Sequence, residues 1–402
     1  MTPVRRKTEL TLLEYFAAIV AVLATVACEA PAPGAADDAV ALATLPLGVR
    51  SRLAVSSDYA HPESIIPAGI AGGSDFLFVG SPIDGRVMVL LRSNGEQIAE
   101  LPQPPGHFIL PLIIHSIAPT RVAVLDCGGF PAPGVIDADP TIYEYEYARN
   151  GQTIAAHLAR TVHFTGHRIG FAEEFTYLGN GEYLVPDAVY GSIWRVRADG
   201  GIVPGIVPKS FEHSDAFPEM VFCPTMPVVE VGGLPFLFTG STIPGVAGIA
   251  VRSGTVFFYS SCAAALFRFP LASLFDARPP WQRAQDIELI ASKPAHVEVE
   301  ELLEMQFNPY DPRDPFLYVA DALKLRLLRI DPDSGARSVV ADDPRLFNFP
   351  ASLGFVPPCG HEPAPLLVLS NQQHRNPLTN DAITEDVTQR PFVVTKVLLK
   401  KR

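Results

Sequence analysis

Several short motifs that mark large enzyme classes are missing from this sequence of 402 residues. It has no G-x-S-x-G nucleophile elbow, no Walker loop, no H-E-x-x-H pair and no dinucleotide fingerprint followed by a helix. Each of these motifs fixes a nucleophile, a phosphate cradle or metal ligands at a set spacing. Their absence argues against the enzymes that depend on them. A Ser-His-Asp triad needs no fixed spacing, and nothing in the sequence points to one.

Clusters of basic residues are missing away from the two ends of the chain. Lys and Arg number 31 against 43 Asp and Glu, which gives a formal net charge of -12. The only basic clusters are residues 5–7 and 400–402. Nucleic-acid binding requires a basic patch on the folded domain, so we expect no nucleic-acid partner. The acidic balance is consistent with solubility or with attraction of a cation.

Cysteine is also rare, and none of the 5 Cys residues stands in a C-x-x-C or similar metal-ligand spacing. Those in the body of the chain are Cys127, Cys223, Cys262 and Cys359. In an exported protein, an even number of this kind permits two disulfides in three alternative pairings. The alternative is that they are buried free thiols, which pack as small apolar side chains.

The uncharged apolar stretch near the N-terminus, residues 16–27, is too short to cross a bilayer comfortably. It follows a basic cluster and ends in small residues, which is the pattern of a secretory signal peptide. Glu9 and Glu14 are unusual in such a segment and favour a membrane anchor instead. We therefore predict that residues 1–27 are a signal peptide or an N-terminal anchor.

The residues around Cys28 refine this prediction. Cys28 directly follows Ala27, as at a bacterial lipoprotein cleavage site, although Thr25 stands where Leu is usual. Residues 28–50 are rich in Ala and Pro and predict a flexible linker. The predicted location is secreted, periplasmic or at the cell surface, with a lipid anchor at Cys28 or a membrane-anchored N-terminus as variants.

A phrase of two short strands joined by a polar turn occurs six times along the chain. In each copy the first strand is apolar and ends in a small or acidic residue. The copies are FLFVGSPIDGRVMVL from Phe76, RVAVLDCGG from Arg121, EYLVPDAVYGSIWRV from Glu182, VFFYSSCAAALFRF from Val256, FLYVADALKLRLLRI from Phe316 and PLLVLSNQQHR from Pro365.

The spacing of these copies predicts the fold. Their first strands end, about 46 to 74 residues apart, near Gly80, Asp126, Asp187, Ser261, Asp321 and Ser370. Repeats of roughly 40 to 50 residues with several strands are typical of β-propeller blades, and longer gaps hold loop insertions. The 39 Pro and 30 Gly residues suit the many turns of such a fold. We therefore predict an all-β, six-bladed β-propeller over residues 51–402, with its site at the channel mouth.

Three further segments are predicted to have special roles in the propeller. Residues 209–234 are rich in Pro, form an insertion too long for a turn and are a candidate lid over the channel. Residues 391–399 predict a closing strand, and joining both chain ends in one blade would leave no open sheet edge. Residues 272–275 follow Pro270 and predict a short helix.

Several phrases resemble a known superfamily. GSDFLFVGSPIDGRV, NGEYLVPDAVYGSIWRVRADGG and FLYVADALKLRLLRIDPDSG resemble the strand-turn-strand phrases of six-bladed propellers of the regucalcin, gluconolactonase and strictosidine synthase type. GIAVRSGTVFFYSSCAAALFRFPLASLF and PLLVLSNQQHR resemble both that group and, more weakly, the insect yellow and royal jelly proteins. The resemblance covers roughly residues 60–375.

This resemblance implies a single divalent metal ion, usually calcium, held in the channel by an acid of the first blade and Asn or Asp of later blades. Enzymes of this kind hydrolyse lactones or esters, while the strictosidine synthase branch uses a Glu in a metal-free condensation. Glu63, in the phrase HPES, stands at the position of the first-blade ligand. Glu173 or Glu174 replaces the usual Asn of the third blade. Glu301 or Glu304 replaces the usual Asp of the fifth.

Acids at the starts of inner strands can converge on the channel axis, where calcium would take six to eight oxygen ligands. A free carboxylate would accept the proton of an attacking water, and a histidine would shuttle protons. The predicted catalytic residues are Glu63, Glu173, Glu301 and His115. The predicted ligand-binding residues are His61, His167, Glu174, His296 and Glu304. The predicted ligands of calcium, or of another divalent metal ion, are Glu63, Glu173 and Glu301.

A structural role is the alternative for each of these residues. Several glutamates would then be solvated loop residues, and a lone histidine on a buried strand is more often structural. His115 lies in the apolar run LPLIIHSIAP, and His167 lies just before the third blade. Asp187 and Asp321, which end repeated strands, are interpreted as turn caps that bind backbone N–H groups.

The predicted function is that of an exported enzyme whose partner is a small-molecule ligand. The leading hypothesis is a metal-assisted lactone or ester hydrolase, because Glu63 is kept. One alternative is a metal-free cyclase or condensing enzyme. Another is a non-catalytic small-molecule binding protein, favoured by two positions where the family's Asn is missing, one of them Ala247. A surface-anchored scaffold is the third.

Overall fold

Six sheets of four antiparallel strands and one separate hairpin make up the described fold. The sheets are the blades of a β-propeller, so the predicted fold class is confirmed. The computed structural model describes residues 49–55, 67–73, 75–129, 138–150, 153–207, 227–237, 246–261, 264–293, 300–358, 363–389 and 392–399.

Five of the blades are built from four strands that follow one another along the chain, with the strand nearest the channel first, and blade six combines three consecutive strands with β1. The strands are β1 (Val49–Val55), β2 (Ala68–Gly72), β3 (Phe76–Ser81), β4 (Arg86–Leu91), β5 (Gln97–Glu100), β6 (Pro111–Ala118), β7 (Arg121–Asp126), β8 (Thr141–Asn150), β9 (Thr153–His163), β10 (Thr176–Gly179), β11 (Glu182–Pro186), β12 (Ile193–Val196), β13 (Ile202–Ile206), β14 (Val229–Val231), β15 (Leu234–Phe236), β16 (Val246–Arg252), β17 (Thr255–Ser260), β18 (Ala265–Pro270), β19 (Glu288–Ser292), β20 (Leu302–Phe307), β21 (Leu317–Asp321), β22 (Arg326–Ile330), β23 (Arg337–Ala341), β24 (Pro350–Phe355), β25 (Leu366–Ser370) and β26 (Phe392–Val397). The blades are β2–β5, β6–β9, β10–β13, β16–β19, β20–β23 and, for blade six, β24–β26 with β1.

The six repeated phrases occupy the same place in every blade. Their first strands are the second strands of the blades, namely β3, β7, β11, β17, β21 and β25. The widest gap between copies contains the hairpin β14–β15, which is inserted between blades three and four. The number of copies therefore equals the number of blades because each copy builds the middle of one blade.

Short helices occur in blade four and after β25. A 3-10 helix at Leu271–Phe275 confirms the short helix predicted at residues 272–275. It is followed by α1 (Pro280–Arg283) and by a 3-10 turn at Ala284–Asp286. A further 3-10 helix, Gln373–Arg375, follows β25. Within the described part of the chain, no helix has the length and apolar character needed to cross a membrane.

The two ends of the described chain meet in blade six. β1 pairs antiparallel with β26, and Val49 lies opposite Val397. This pairing confirms the closing strand predicted at residues 391–399. β1 begins two residues before residue 51, the predicted start of the propeller. The inner strands β2, β6, β10, β16, β20 and β24 contact one another in a closed ring.

A β-bulge interrupts the pairing of the inner strand near its start in every blade. In blade three, Ala172 pairs with Asp187 and Thr176 with Leu184, so residues 173–175 face only two residues of β11. A bulge bends a strand and changes the direction of its side chains. In the other five blades the extra residues are Gly69, Leu112, Ala247, Leu303 with Glu304, and Ala351.

The candidate lid lies partly within the described residues, as the hairpin β14–β15. Val231 and Phe236 of this hairpin are buried in the apolar cluster of blades five and six. The rings of Phe236 and Phe349 meet edge to face, with their centroids 5.1 Å apart. The Asn380 side chain accepts a hydrogen bond from the Leu237 N–H at 2.9 Å. The described part of the insertion is therefore docked on blades five and six.

Several sequence predictions fall outside the described residues. Of the cysteines, Cys127 is a buried free thiol whose Sγ donates a hydrogen bond to the Ala172 carbonyl at 2.8 Å. The other cysteines of the body lie outside the described residues, so disulfide pairing stays a prediction. The same holds for residues 1–48, and therefore for the signal peptide, nearly all of the linker and the lipid anchor.

Replacing Val394 by Ala is expected to destabilise the closing blade, whereas the same change at the neighbouring Val393 is not. Val394 is fully buried in the apolar cluster shared by blades one and six, while Val393 is partly exposed. Loss of two buried methyl groups costs about 2 kcal/mol, against less than about 1 kcal/mol at the exposed position. Urea denaturation of both variants measures the difference. Equal losses of the free energy of unfolding in the two variants would contradict the burial of the Val394 face of β26.

Candidate functional site

A cavity lies on the propeller axis at the end where the inner strands begin. It has a volume of about 430 Å³, including its open mouth, and every blade contributes to its wall. The apolar part of the wall consists of Ala68, Leu112, Ile113, Ala247, Leu303 and Ala351. The polar part consists of Glu173, Glu174, Glu304, Ser352, Asn371 and Gln373. Among these described lining residues none is Lys or Arg.

Three side chains from three blades meet beside this cavity, and we call them the central cluster. The Nε2 atom of His115, on β6, lies 3.0 Å from Oε1 of Glu174 and 3.5 Å from Oε1 of Glu304. Glu174 belongs to the bulge before β10, and Glu304 to the bulge in β20. The three potential ligand atoms lie within 4.8 Å of one another, a spacing that one metal ion can bridge.

Hydrogen bonds hold both carboxylates of the central cluster in place. Oε1 of Glu174 accepts a bond from the Phe175 N–H at 2.8 Å. Oε2 of Glu304 accepts one from the Leu353 N–H of blade six, also at 2.8 Å. The Gln306 side chain donates to Oε1 of Glu304 at 2.8 Å. These bonds orient the carboxylates before any ligand binds.

Burial determines the protonation of the central cluster. It raises the pKa of Glu174 and of Glu304 well above the usual range. It also lowers the pKa of His115, although the nearby charge of Glu304 acts in the opposite direction. Without a cation, burial therefore favours the protonated, uncharged form of both carboxyl groups and the neutral form of the imidazole.

Two other buried acids of the propeller, Glu144 and Glu300, are paired with arginine. Glu144 is buried and accepts hydrogen bonds from Arg121 at 2.7 Å and from Arg160 at 2.8 Å. Glu300, also buried, forms an ion pair with Arg337. The cavity wall has no basic residue of this kind among the described residues. Its carboxylates can be compensated by protons or by a cation.

Glu173 and Glu301 form a second acidic pair. Glu173 lines the cavity, and its Oε2 atom has no hydrogen-bond partner among the described residues. Glu301 is fully buried and accepts a hydrogen bond from the Ser261 hydroxyl at 2.8 Å. Burial, with repulsion from Glu174, raises the pKa of Glu173 to about 8. Burial, with repulsion from Glu173, raises the pKa of Glu301 to about 8. Carboxyl groups that titrate near neutral pH are suited to proton transfer.

The remaining predicted site residues are not part of this arrangement. His61, Glu63 and His296 lie outside the described residues, so their predicted roles stay predictions. His167 is described but does not line the cavity. Its ring packs edge-on against Trp194, with the centroids 5.3 Å apart.

The aspartates at the ends of the second strands have structural roles. Asp187 accepts hydrogen bonds from the backbone N–H groups of Gly170 at 3.1 Å and Val189 at 2.9 Å, as a turn cap should. Asp321 accepts a backbone hydrogen bond from Lys324 and also forms an ion pair with Arg326, whose Nε lies 2.7 Å from its carboxylate. These bonds tie the turn at the end of each strand to its surroundings.

Sequence reasoning missed Asn371 and Gln373, polar residues that follow β25 and line the cavity. A signal for Asn371 exists in the repeat itself. When the blades are aligned by strand pairing, the residue after the last paired position of the second strand is Ser81, Cys127, Ala188, Ser261, Ala322 or Asn371. Asn371 is thus the only one of these six aligned residues with an amide side chain, and the other five are small.

The fold and the position of the cavity define the class of the protein as a six-bladed β-propeller with an acidic site on its axis. No protein-family model matches the chain, and no curated protein matches its sequence. The chain is similar to solved structures of the propeller type that its sequence resembles. The similarity to strictosidine synthase and to the yellow proteins stays a prediction.

Among the similar solved structures is a calcium-binding protein, regucalcin, from Agrobacterium tumefaciens, which is 14% identical with a TM-score of 0.49. That alignment covers 88% of this chain and 96% of the other. A gluconolactonase from Xanthomonas campestris is 12% identical with a TM-score of 0.46, covering 87% and 98%. Virginiamycin B lyase from Staphylococcus aureus is 12% identical with a TM-score of 0.45, covering 87% and 99%. These similarities concern the fold alone.

His374 lies close to the cavity and packs against the turn of the hairpin β14–β15 at Gly232. It is fully buried and stacked on Phe349, with the ring centroids 5.7 Å apart. Neither ring nitrogen has a hydrogen-bond partner among the described residues. Burial, with a smaller effect from Arg375, lowers the pKa of His374 to about 4. This histidine therefore stays neutral in the folded protein at a pH that protonates it in the unfolded chain.

The stability of the propeller is expected to fall between pH 7 and pH 5 through His374. The unfolded histidine titrates near 6.5 and the folded one near 4, so the unfolded state binds more protons as the pH falls. This difference removes about 2 kcal/mol of the free energy of unfolding between the two pH values. Urea denaturation at both pH values compares the wild type with His374→Phe, whose side chain is also an aromatic ring but cannot titrate. If the free energy of unfolding fell equally in both proteins, the pH dependence would not come from His374.

Proposed function

We propose that the protein is a metal-assisted hydrolase that opens small lactones or esters in the cavity on the propeller axis. The central cluster carries this proposal, because a histidine and two buried carboxylates from three blades bring their potential ligand atoms within 4.8 Å of one another. The proposed metal ligands are therefore His115, Glu174 and Glu304. They differ from the set Glu63, Glu173 and Glu301 that the sequence predicts.

A divalent cation fits this cluster on two grounds. Among the described residues that line the cavity there is no arginine or lysine, although Glu144 and Glu300, two other buried acids, are paired with arginine. The donor set of one imidazole nitrogen and carboxylate oxygens is of the kind that zinc and manganese accept. Calcium prefers six to eight oxygen ligands. The donor set thus supports a transition metal rather than the calcium that the resemblance implies.

The residues of the cavity have separate roles in the proposed reaction. A bound cation would polarise the carbonyl group of the substrate. Glu173 lines the cavity, and its Oε2 atom has no partner among the described residues. In the proposed reaction it accepts a proton from the attacking water and returns it to the leaving alkoxide. The apolar wall, including Ile113 and Leu303, packs against the carbon skeleton of the substrate and limits the access of other water.

The metal-free alternatives have support of their own. His115 and Glu174 are already joined by a hydrogen bond of 3.0 Å, and burial raises the pKa of Glu174. Protons alone therefore satisfy the central cluster. In that case the protein is a cyclase or condensing enzyme that uses a glutamate, or a small-molecule binding protein. Metal content separates these alternatives from the hydrolase.

Protein exposed to zinc or manganese and then desalted is expected to retain about one equivalent of metal. Glu174→Gln and Glu304→Gln each remove a charged ligand, so each should weaken metal binding at least about tenfold. Glu182→Gln is the matched control, because Glu182 pairs with Arg195 on blade three and does not line the cavity. Elemental mass spectrometry measures the bound metal, with calcium as a competitor. No metal in the wild type, or equal metal in every variant, would contradict the proposed centre.

Glu173→Gln is expected to lower kcat for a lactone or ester about 10²-fold or more, because an amide cannot accept the proton. The retained metal should not change, since Glu173 is not a proposed ligand. Glu182→Gln is again the control and should keep full activity. Titration of the acid released from five- and six-membered lactones and simple esters measures the rate. Ligand binding without turnover on any of these compounds would favour the binding-protein alternative.

A further inference from the structure

We propose that blade six docks on an anionic phospholipid bilayer through the ends of its strands that lie farthest from the cavity, so that the cavity opens away from the membrane. This inference does not depend on the proposed hydrolysis, and it rests on the N-terminal anchor that the sequence predicts. It is supported by the directions of the strands in blade six and by the basic residues that these strands bring together.

The chain enters and leaves blade six at one place. β1 begins at Val49, which pairs with Val397 at the end of β26. Paired Cα atoms of antiparallel strands lie about 5 Å apart. Residues 400–402 lie outside the described residues but are joined covalently to Leu399, and three residues span at most about 11 Å. The predicted anchor and linker, residues 1–48, are therefore attached close to the basic cluster at residues 400–402.

This place is at the end of blade six that lies away from the cavity. Val397 pairs with Leu366, which also pairs with Phe355 at the end of β24. The cavity is lined instead by Ala351, near the start of β24. The strand β26 has 6 residues, so the two ends of the blade are about 17 Å apart. An anchor attached at Val49 therefore leaves the cavity on the opposite side of the propeller.

Basic residues predominate in this part of blade six. The sequence of β1, of β26 and of the residues after it contains no acid. The basic residues there, which we call the basic end, are Arg50, Arg52, Lys396, Lys400, Lys401 and Arg402. The segment between β24 and β25 adds one acid, Glu362. Because the whole chain has a net charge of -12, an anionic surface attracts the basic end and repels the rest of the protein.

The neighbouring blades confine this contact to blade six. Glu96 of blade one lies between β4 and β5, and Asp333 of blade five lies between β22 and β23. Both side chains are exposed, and both lie at the end of their blades that faces away from the cavity. An anionic surface repels both acids, so the bilayer meets the basic end between them.

The anchor and the basic end act together. The apolar stretch at residues 16–27 is too short to cross a bilayer comfortably, and a single lipid chain binds membranes only reversibly. Either one holds a protein stably when a basic patch is added. The predicted linker, residues 28–48, reaches about 25 Å as a flexible coil. It keeps the propeller near the bilayer, and the basic end determines which side of the propeller meets the lipid.

Vesicle binding of the full chain tests the inference. The wild type should bind phosphatidylcholine vesicles with about one third phosphatidylglycerol at least about 10²-fold more tightly than pure phosphatidylcholine vesicles. Added salt should reduce this preference, because it screens the charges. The combined variant Lys400→Gln, Lys401→Gln and Arg402→Gln should lose at least about tenfold of the preference, as expected for three charges near a membrane surface. Co-sedimentation with the vesicles measures the binding.

A matched control removes the same charge from the opposite end of the propeller. It combines Lys324→Gln, between β21 and β22, with Arg168→Gln and Arg345→Gln, which precede the inner strands of blades three and six. All three residues are exposed at the cavity end, and none lines the cavity. This variant should keep the preference of the wild type for anionic vesicles.

Acetylation of lysines in the wild type measures the orientation directly and does not depend on how a variant folds. On anionic vesicles, Lys400 and Lys401 should become protected from a water-soluble reagent, while Lys324 should react as it does in solution. Equal binding to both kinds of vesicle, an equal loss of preference in the control variant, or protection of Lys324 instead of Lys400 would overturn the inference. Tighter binding to a DNA duplex than to the anionic vesicles would also overturn it.

Discussion

Six inner strands must converge on one axis, and the crowding of their backbones governs the rest of the structure. A Cβ atom at Gly69, on β2, would lie 2.5 Å from the carbonyl oxygen of Leu112 on β6, so the inner strands of blades one and two are in backbone contact there. Gly69 and Leu112 are both bulge residues, and the other inner strands are bulged near their starts as well. A bulge also changes the direction of side chains. Bulge residues such as Glu304 therefore face the cavity.

The second constraint is the charge of buried carboxylates, which is compensated differently at the propeller axis than at Glu144 and Glu300. Glu144 and Glu300 show that this protein can bury an acid beside arginine. In the cavity wall no described residue plays that part, and burial raises the pKa of Glu174 and Glu304 instead. The unpaired state is costly for an ionised carboxylate, so either a proton or a cation would have to compensate each charge. A cation in the central cluster corresponds to the proposed hydrolase. Protons in the central cluster correspond to the metal-free alternatives.

The sequence predicts the blades well, because each copy of the repeat carries its own apolar strand and turn. It also places Glu174, Glu304 and His115 among the candidates. It cannot predict which glutamates of blades three and five meet the histidine, because alternation along a strand fails across a bulge. In blade three, residues 173–175 face only two residues, and the pattern of inward and outward side chains shifts there. The amide of Asn371 depends in the same way on register, which strand pairing reveals and a list of motifs does not.

The inserted hairpin β14–β15 and the segment that lines the cavity after β25 are held by the same side chain. Asn380 donates one hydrogen bond to the Pro235 carbonyl of the hairpin and one to the His374 carbonyl, each at 2.8 Å. His374 follows Asn371 and Gln373 on the same short segment, so the hairpin and the cavity wall share an anchor. A wall held in this way would lose little conformational entropy if a ligand bound to it. The insertion between blades three and four is thus tied to the segment after β25 that lines the cavity.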